Sequence, residues 1–302
     1  MKAVLLHEYG KPSLLKWEDA EDPKPGKGEI LVRVQAASVN PVDFKRRSGA
    51  AAEKFPVQFP GILGRDFAGV IRELGEGVEN FAVGDRVFGM AWETYAELCV
   101  VKADVIAKIP EGVDITTAAA IPLVAATGDQ LIRDAAKAQK GDAIVLTGMT
   151  GSVGRCAAFT AKELEVKVIG GVRKKSLDEA RALGAVDAID LEDDKSIALL
   201  GFVDAVADTV GGAAGTKLIG KVKAGGNYGS IVGVPKNASL HPTVNTCAIM
   251  AHPAPETYVH FAEAIRDGKL SLPIERVMPM TDAAEAHAMA EKGGVGKIVL
   301  TA

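Results

Sequence analysis

The residues of this chain best placed to do chemistry are three glycines spaced three apart, Gly148, Gly151 and Gly154. An apolar run at 143–147 precedes them, and Ala157, Ala158, Phe159, Ala161 and Leu164 come after at helical spacing. Strand, glycine turn, helix is the geometry that aims a helix N-terminus and free backbone N–H groups at a phosphate. Thr150, Ser152 and Val153 complete the turn. Glycine also serves tight turns for steric reasons alone, so the triplet takes its meaning from the residues downstream of it. A second apolar run at 166–172 makes the unit strand–helix–strand, as a dinucleotide site requires. In such a site the end of the second strand faces the adenosine ribose, where an Asp or Glu selects NAD by bonding the 2′-hydroxyl. Here the strand runs into Arg173, Lys174 and Lys175, with no carboxylate until Asp178. Three cations about 25 residues beyond the first glycine match a 2′-phosphate, so the expected cofactor is NADPH. A solvated basic loop capping the next helix is the other reading of the same residues.

The elements that must hold these residues alternate. Strands are expected at 143–147, 166–172, 186–190, 203–207 and 226–232, with helices near 152–164, 176–183 and 212–222 and a sixth strand at 245–251. That order predicts right-handed βαβ units and a doubly wound parallel sheet. Upstream, short apolar runs at 2–6, 30–36, 67–73, 86–89 and 97–101 lie between glycine and proline turns, which predicts a β-rich domain, a distorted barrel. Helical patterning begins near Thr116 and is interrupted at Pro122. After a helix at 255–267 the chain closes on a strand at 297–300, expected to return to the first domain. The α/β chain thus divides into a β-rich domain at 1–115, a dinucleotide-binding domain at 116–252 and a return segment at 253–302.

Composition narrows the classes. A length of 302 residues suits two cores rather than one. The net charge of −4 gives no basic footprint for nucleic acid. No apolar run approaches the ~20 residues of a membrane span, and the N-terminus reads as a strand rather than a secretory signal, so the expected location is cytoplasmic. Cys99, Cys156 and Cys247 are far apart and odd in number, which predicts neither a disulfide framework nor a zinc cluster.

With these elements in place the chain resembles the medium-chain dehydrogenase/reductase superfamily, in its zinc-free quinone oxidoreductase and enone reductase branch. The resemblance rests on residues 36–43 with their Asn-Pro-x-Asp, on 60–70, on 83–89 and on 118–127. It continues through the glycine triplet, the Asp-Thr-Val-Gly-Gly of 208–212 and the closing 296–300. It implies a GroES-like catalytic domain built from both chain ends, a Rossmann domain inserted between them, and a homodimer.

Zinc-containing members of that superfamily hold a catalytic metal with Cys, His and Cys. At the matching positions this chain has Asn40, Arg65 and Leu123, none a good zinc ligand, and only Cys99 lies where the four-cysteine lobe would be. The resemblance therefore implies a metal-free protein and disfavours simple alcohol oxidation, which leans on zinc to ionise the alcohol. What remains is hydride transfer from NADPH to a quinone or an α,β-unsaturated carbonyl, whose own oxygen takes the developing charge.

The same resemblance supplies candidate roles. Asn40 is a candidate donor near the nicotinamide or the substrate oxygen, or else makes an Asx-type turn before Pro41. Asp43 is expected to anchor that loop through an ion pair with Arg65. Arg65 either stabilises an enolate or pairs with Asp43 or Asp66. With no titratable general acid evident, the last proton is expected from solvent. Some members carry a Tyr after the Ser-Gly matching Ser48 and Gly49; here stand Ala50, Ala51 and Ala52, and Trp92 and Tyr95 are the candidates for aromatic walls or for core packing. Thr127 matches a position beside the nicotinamide. Tyr228, Val232 and Gly233 follow or end the fifth Rossmann strand, where backbone meets the carboxamide, with Tyr228 alternatively a sheet residue. Lys297 matches the closing lysine that reaches the cofactor or its loop, or is simply solvated. Two rival functions stay open. One is an enoyl-CoA-type reductase with Lys45, Arg46 and Arg47 as an anion surface, the other a non-catalytic NADPH-binding protein.

Overall fold

The strand Glu29–Val39 is the axis of one part of the molecule. Its first half alternates, with Ile30, Val32 and Val34 buried and Arg33 exposed, the pattern of a strand with one wet face. From Ala36 to Val39 every residue is buried. Small side chains there admit a second layer, the helix Ile115–Ala120, which packs across this strand and across Asp66–Leu74.

The computed structural model describes residues 1–293 and 296–302, and these divide into two units. One is Met1–Leu123 with Pro253–Ala302, the other Val124–His252. The expected boundary near 116 moves later because the helix Ile115–Ala120 buries Ala118, Ala119 and Ala120 against strands of the first unit. The helical run breaks at Pro122 as expected: one helix ends at Ala120 and the next, Pro122–Gln130, opens on the proline, where its missing N–H costs nothing.

In the first unit the larger sheet runs Ile274–Pro279, Lys297–Thr301, Glu29–Val39, Asp66–Leu74, Arg86–Met90, Ile106–Lys108, and Leu98–Lys102 pairs the first half of Glu29–Val39. The closing strand lies antiparallel to the second half of that axis, Ile298 opposite Val39 and Thr301 opposite Ala36. A segment from the end of the chain therefore completes a sheet begun near its start, as expected. A smaller sheet of Lys16–Asp19, Lys2–Leu6 and Gly61–Ile62 joins the larger where Ala3 bridges Ala96. Leu6, Ile30, Val32, Phe67, Ile71 and Ile298 belong to their shared core. Among the described residues of this unit, the helices Pro41–Ser48 and Ala283–Lys292 stand outside the sequence expectation, as does Asp194–Leu199 in the other unit. The first two pack on one another, joined by the Arg47–Glu291 ion pair at 2.9 Å.

The second unit is a six-stranded parallel sheet in the order Asp187–Asp190, Lys167–Val172, Ala143–Thr147, Val203–Asp208, Val222–Ser230, Asn245–Ala248. Numbered within the unit this is 3-2-1-4-5-6, the doubly wound order of the Rossmann fold. Strand order reverses at Ala143–Thr147, so the crevice for a ligand opens beyond the carboxyl end of that strand. The glycine turn stands there. Among the described residues no helix is long and apolar enough to cross a membrane.

Candidate functional site

The candidate residues of the first unit meet where three neighbouring strands end together. Glu29–Val39 delivers Asn40 just past its end, and its antiparallel neighbours begin with Asp66 and Lys297. Asp66 collects four donors. Its Oδ2 accepts from Ser38 Oγ at 2.7 Å, Asn40 Nδ2 at 2.8 Å and Lys297 Nζ at 3.5 Å, and its Oδ1 accepts the Leu123 N–H at 2.9 Å. Lys297 Nζ also donates to Asn40 Oδ1 at 2.7 Å. All three side chains are buried, so the charges stand in low dielectric and their hydrogen bonds hold them there. Asn40 is the N-cap residue of the helix Pro41–Ser48, and its amide is held between Asp66 and Lys297. Lys297 is neither solvated nor a free arm, because its ammonium is built into this node.

Asp43 faces a second buried group of polar residues. Its Oδ2 accepts the Asn40 N–H at 2.8 Å, which caps the helix Pro41–Ser48, and the Tyr95 hydroxyl at 3.1 Å. His287 Nε2 lies 3.4 Å from the same hydroxyl. Burial pushes the Asp43 carboxyl up to about 7, against the pull of the Asn40 N–H. Burial, then the charge of Arg47, holds His287 down to about 3. The expected Asp43–Arg65 ion pair does not form, because Asp43 is enclosed by Asn40 and Tyr95. Tyr95 is likewise a core residue and no wall of a pocket.

Arg65 goes elsewhere. Its guanidinium lies 4.2 Å from the centre of the Trp92 ring, and that of Arg46 lies 4.3 Å from the same ring. Backbone bonds fix the arrangement: Ala91 N–H donates to Arg65 O and Tyr95 N–H to Leu63 O, which lays the loop carrying Trp92 along the loop carrying Arg65. Burial lowers the pKa of both guanidinium groups. Of the three cations expected to offer coenzyme A a surface, only Lys45 is exposed; Arg46 and Arg47 are buried. Sequence reasoning noticed Trp92 and Arg46 separately and missed that they share one site, for which no sequence spacing gives a sign.

In the second unit the glycine turn has the shape a phosphate needs. Gly148 takes φ +64°, and a Cβ there would meet Thr209 Oγ1 at 2.4 Å. A Cβ on Gly154 would meet Gly148 O at 2.1 Å, so the helix Ser152–Glu163 starts hard against the turn. Gly151 is the N-cap residue and brings no side-chain acceptor, which leaves the N–H groups of Ser152 and Val153 turned outward in the usual manner of a helix start. Asp208 supports the crevice from behind: its Oδ1 accepts from Thr147 Oγ1, Val210 N–H and Gly211 N–H, and its Oδ2 from the Tyr228 hydroxyl at 2.6 Å. The Tyr228 side chain is thus committed to the sheet, the alternative weighed for it. Val232 and Gly233 lie exposed just beyond the strand Val222–Ser230, and Thr127 is buried in the helix Pro122–Gln130. Arg173, Lys174 and Lys175 are exposed at the end of Lys167–Val172, and Arg173 Nε lies 3.3 Å from Glu192 Oε1. Backbone donors at the turn and free lysines at the ribose position fit a nicotinamide dinucleotide.

Comparison with known proteins gives the same outline. Residues 26–111 match the family model of the alcohol dehydrogenase GroES-like domain, and residues 183–300 that of the zinc-binding dehydrogenase. A quinone oxidoreductase of Lama guanicoe is 35% identical over 173 residues, 56% of this chain and 52% of that protein, so the match spans about half the length of the curated relative. The solved quinone oxidoreductase of Coxiella burnetii is 30% identical, with a TM-score of 0.90 over 100% of this chain and 99% of its own. A mycobacterial protein solved in complex with NADPH is 26% identical, with a TM-score of 0.86 over 100% of both chains.

The zinc in one of those family descriptions finds no fit here. Zinc takes thiolate, imidazole or carboxylate ligands. Among the described residues no group of three or more His, Cys, Asp or Glu is placed to hold a metal. At the matched positions an amide is bonded to an ammonium, and a guanidinium rests on an indole. The GroES-like sheet closed by the C-terminal strand, the Rossmann sheet with its glycine turn, and full-length agreement with a solved relative together say that the chain belongs to the medium-chain dehydrogenase/reductase superfamily, in its quinone oxidoreductase branch.

Proposed function

We propose that the chain is an NADPH-dependent oxidoreductase that reduces quinones or activated alkenes without a metal. The observation that carries this reading is the node of Asn40, Asp66 and Lys297, where the residue matched to a metal ligand, Asn40, is instead bonded to a buried ammonium. An alcohol that must be ionised by a metal fits such a node poorly. A quinone or an α,β-unsaturated carbonyl, whose own oxygen takes the charge, fits it well. The names of the curated relatives, and the NADPH held by one of the solved ones, support the same reading. NADPH, when bound, supplies the hydride. The rest belongs to the chain: the turn at 148–154 receives the pyrophosphate through backbone N–H groups, and Lys174 and Lys175 receive the 2′-phosphate. Arg173 serves there only when it leaves Glu192.

The test is a panel of quinones, enones and crotonyl-CoA, monitored by the loss of reduced-nicotinamide absorbance. NADPH oxidation by quinones or enones is expected; tight NADPH binding with no turnover of any of them would sink the reading. Replacing Lys174 and Lys175 by Ala is expected to weaken NADPH binding by about tenfold or more and to leave NADH binding unchanged, since charge-assisted contacts contribute ~1.5–3 kcal/mol. Stoichiometric zinc in the purified active protein would overturn the metal-free part.

A further inference from the structure

The pair of arginines on Trp92 stands apart from the hydrogen bonds of the Asn40, Asp66 and Lys297 node, and its electrostatics are incomplete. Arg65 is half-buried, yet among the described residues its guanidinium has no hydrogen bond and no ion pair. The neighbouring carboxylates do not complete it. Asp66 is filled by Ser38, Asn40, Lys297 and the Leu123 N–H, and Asp43 gives its Oδ2 to Asn40 and Tyr95 while its buried Oδ1, without a donor among the described residues, forms no ion pair with Arg65. Glu93, whose charge acts on Arg46, forms no ion pair with either arginine. Arg46 leans on the carbonyls of Phe55 and Pro56 at 3.4 Å, and among the described residues its buried Nη1 has no hydrogen-bond partner. Two desolvated cations on one indole repel each other, and stacking offsets only part of that cost. Such an arrangement is completed by an anion.

We propose that Arg65, seated on Trp92 beside Arg46, is a subsite for a carboxylate carried by the substrate. This deepens the reductase reading and rests on it for the word substrate. Guanidinium takes a carboxylate through two parallel N–H donors, which gives orientation as well as affinity. Trp92 and Phe55, with ring centres 5.4 Å apart, add aromatic surface for a flat conjugated body. The substrate class is therefore a conjugated keto acid, or a quinone with an acidic side group, in preference to neutral enones.

Binding and turnover can be read separately. The chain has two tryptophans, Trp17 and Trp92, so Trp17→Phe leaves Trp92 as the sole indole reporter. Benzoylpropionate, which lacks the conjugated alkene that would take the hydride in the proposed reaction, is titrated against its methyl ester. The acid is expected to bind roughly 10–100-fold tighter, the range of hydrogen bonds to a charged group. Arg65→Gln is expected to remove that difference and Arg65→Lys to keep part of it. Equal binding of acid and ester by the parent protein overturns the subsite whatever the variants do. Inorganic phosphate displacing the acid at equal concentration also overturns the assignment to a carboxylate. Turnover is then compared for benzoylacrylate and its ester with NADPH. Acid-selective binding with no turnover of these or of the quinone and enone panel would leave the subsite standing and remove the reductase reading; turnover without acid selectivity would do the reverse.

Discussion

Asp43 and His287 make the pH dependence of this protein a question about single residues. The carboxyl of Asp43 stands at about 7 in the fold against an ordinary 3.8. A raised acid holds its proton more tightly when folded, so its contribution favours the fold below about pH 4 and is lost as pH rises through about 7. His287 runs the other way: at about 3 against 6.5, it contributes above about pH 6.5 and loses that contribution as pH falls toward 3. The two oppose one another in the mildly acid range, so the parent curve alone reveals neither. Asp43→Asn isolates one: its unfolding free energy relative to the parent is expected to rise by on the order of a few kcal/mol between ~pH 4 and ~pH 8. Urea unfolding at both ends of that range checks it, and a flat difference would mean an ordinary carboxyl. Lys297 permits a second test. Lys297→Met leaves the Asp66 charge and the Asn40 oxygen without their cation, a loss of ~3–5 kcal/mol in chemical unfolding, part of which Asp66→Asn should restore. The sequence named Asn40, Asp43, Arg65 and Lys297 but not their partners. Asn40 and Lys297 are 257 positions apart, and only strand register decides that they touch.

At the scale of elements, legibility followed burial. The strands Ala143–Thr147, Lys167–Val172 and Val203–Asp208 were readable because a parallel strand covered on both faces is a plain apolar run. The helix Pro41–Ser48 was not, since the residues it buries are the charged Asp43, Arg46 and Arg47 and no apolar stripe marks it; only Pro41 at its start and Asp43 reaching back to Asn40 do. The helix Ala283–Lys292 was equally missed, although its alanines favour it, because its register against Pro41–Ser48 is a tertiary fact. The glycine turn shows how unequal three similar residues become in three dimensions. A methyl group on Gly154 would strike the Gly148 and Met149 backbone, whereas on Gly151 its nearest neighbour is 3.3 Å away at an ordinary φ of −76°. Gly154→Ala is therefore expected to open the turn, weakening NADPH binding at least about tenfold and destabilising the protein by ~1–3 kcal/mol. Gly151→Ala should change either by much less. Calorimetric titration of both variants decides, and equal effects would show that the turn is not shaped by close approach.

The whole molecule is a chain whose two ends must meet. Interruption of the first unit by Val124–His252 was legible from the alternation of strand and helix, and the return of the last strand from the apolar run that closes the chain; its place in the sheet was not. That place is central: Lys297–Thr301 lies between Ile274–Pro279 and Glu29–Val39, with Ile298, Val299 and Leu300 at most 1% exposed. Burying three such side chains contributes roughly 1.5–3 kcal/mol each, together comparable with the ~5–15 kcal/mol net stability of a protein of ordinary size. Lys297 leaves with them, and the Asn40–Asp66 node loses its cation. Removing residues 297–302 is therefore expected to unfold the first unit altogether rather than fray one edge. The second unit is a continuous run that takes no strand from either chain end, so it has no such dependence. Limited proteolysis of the truncated chain should leave a resistant fragment close to Val124–His252, still able to protect its glycine turn with NADPH, while the flanking segments are digested. A truncated chain that resists digestion over its full length, with the parent's thermal midpoint, would show that the first unit can close its sheet without the returning strand.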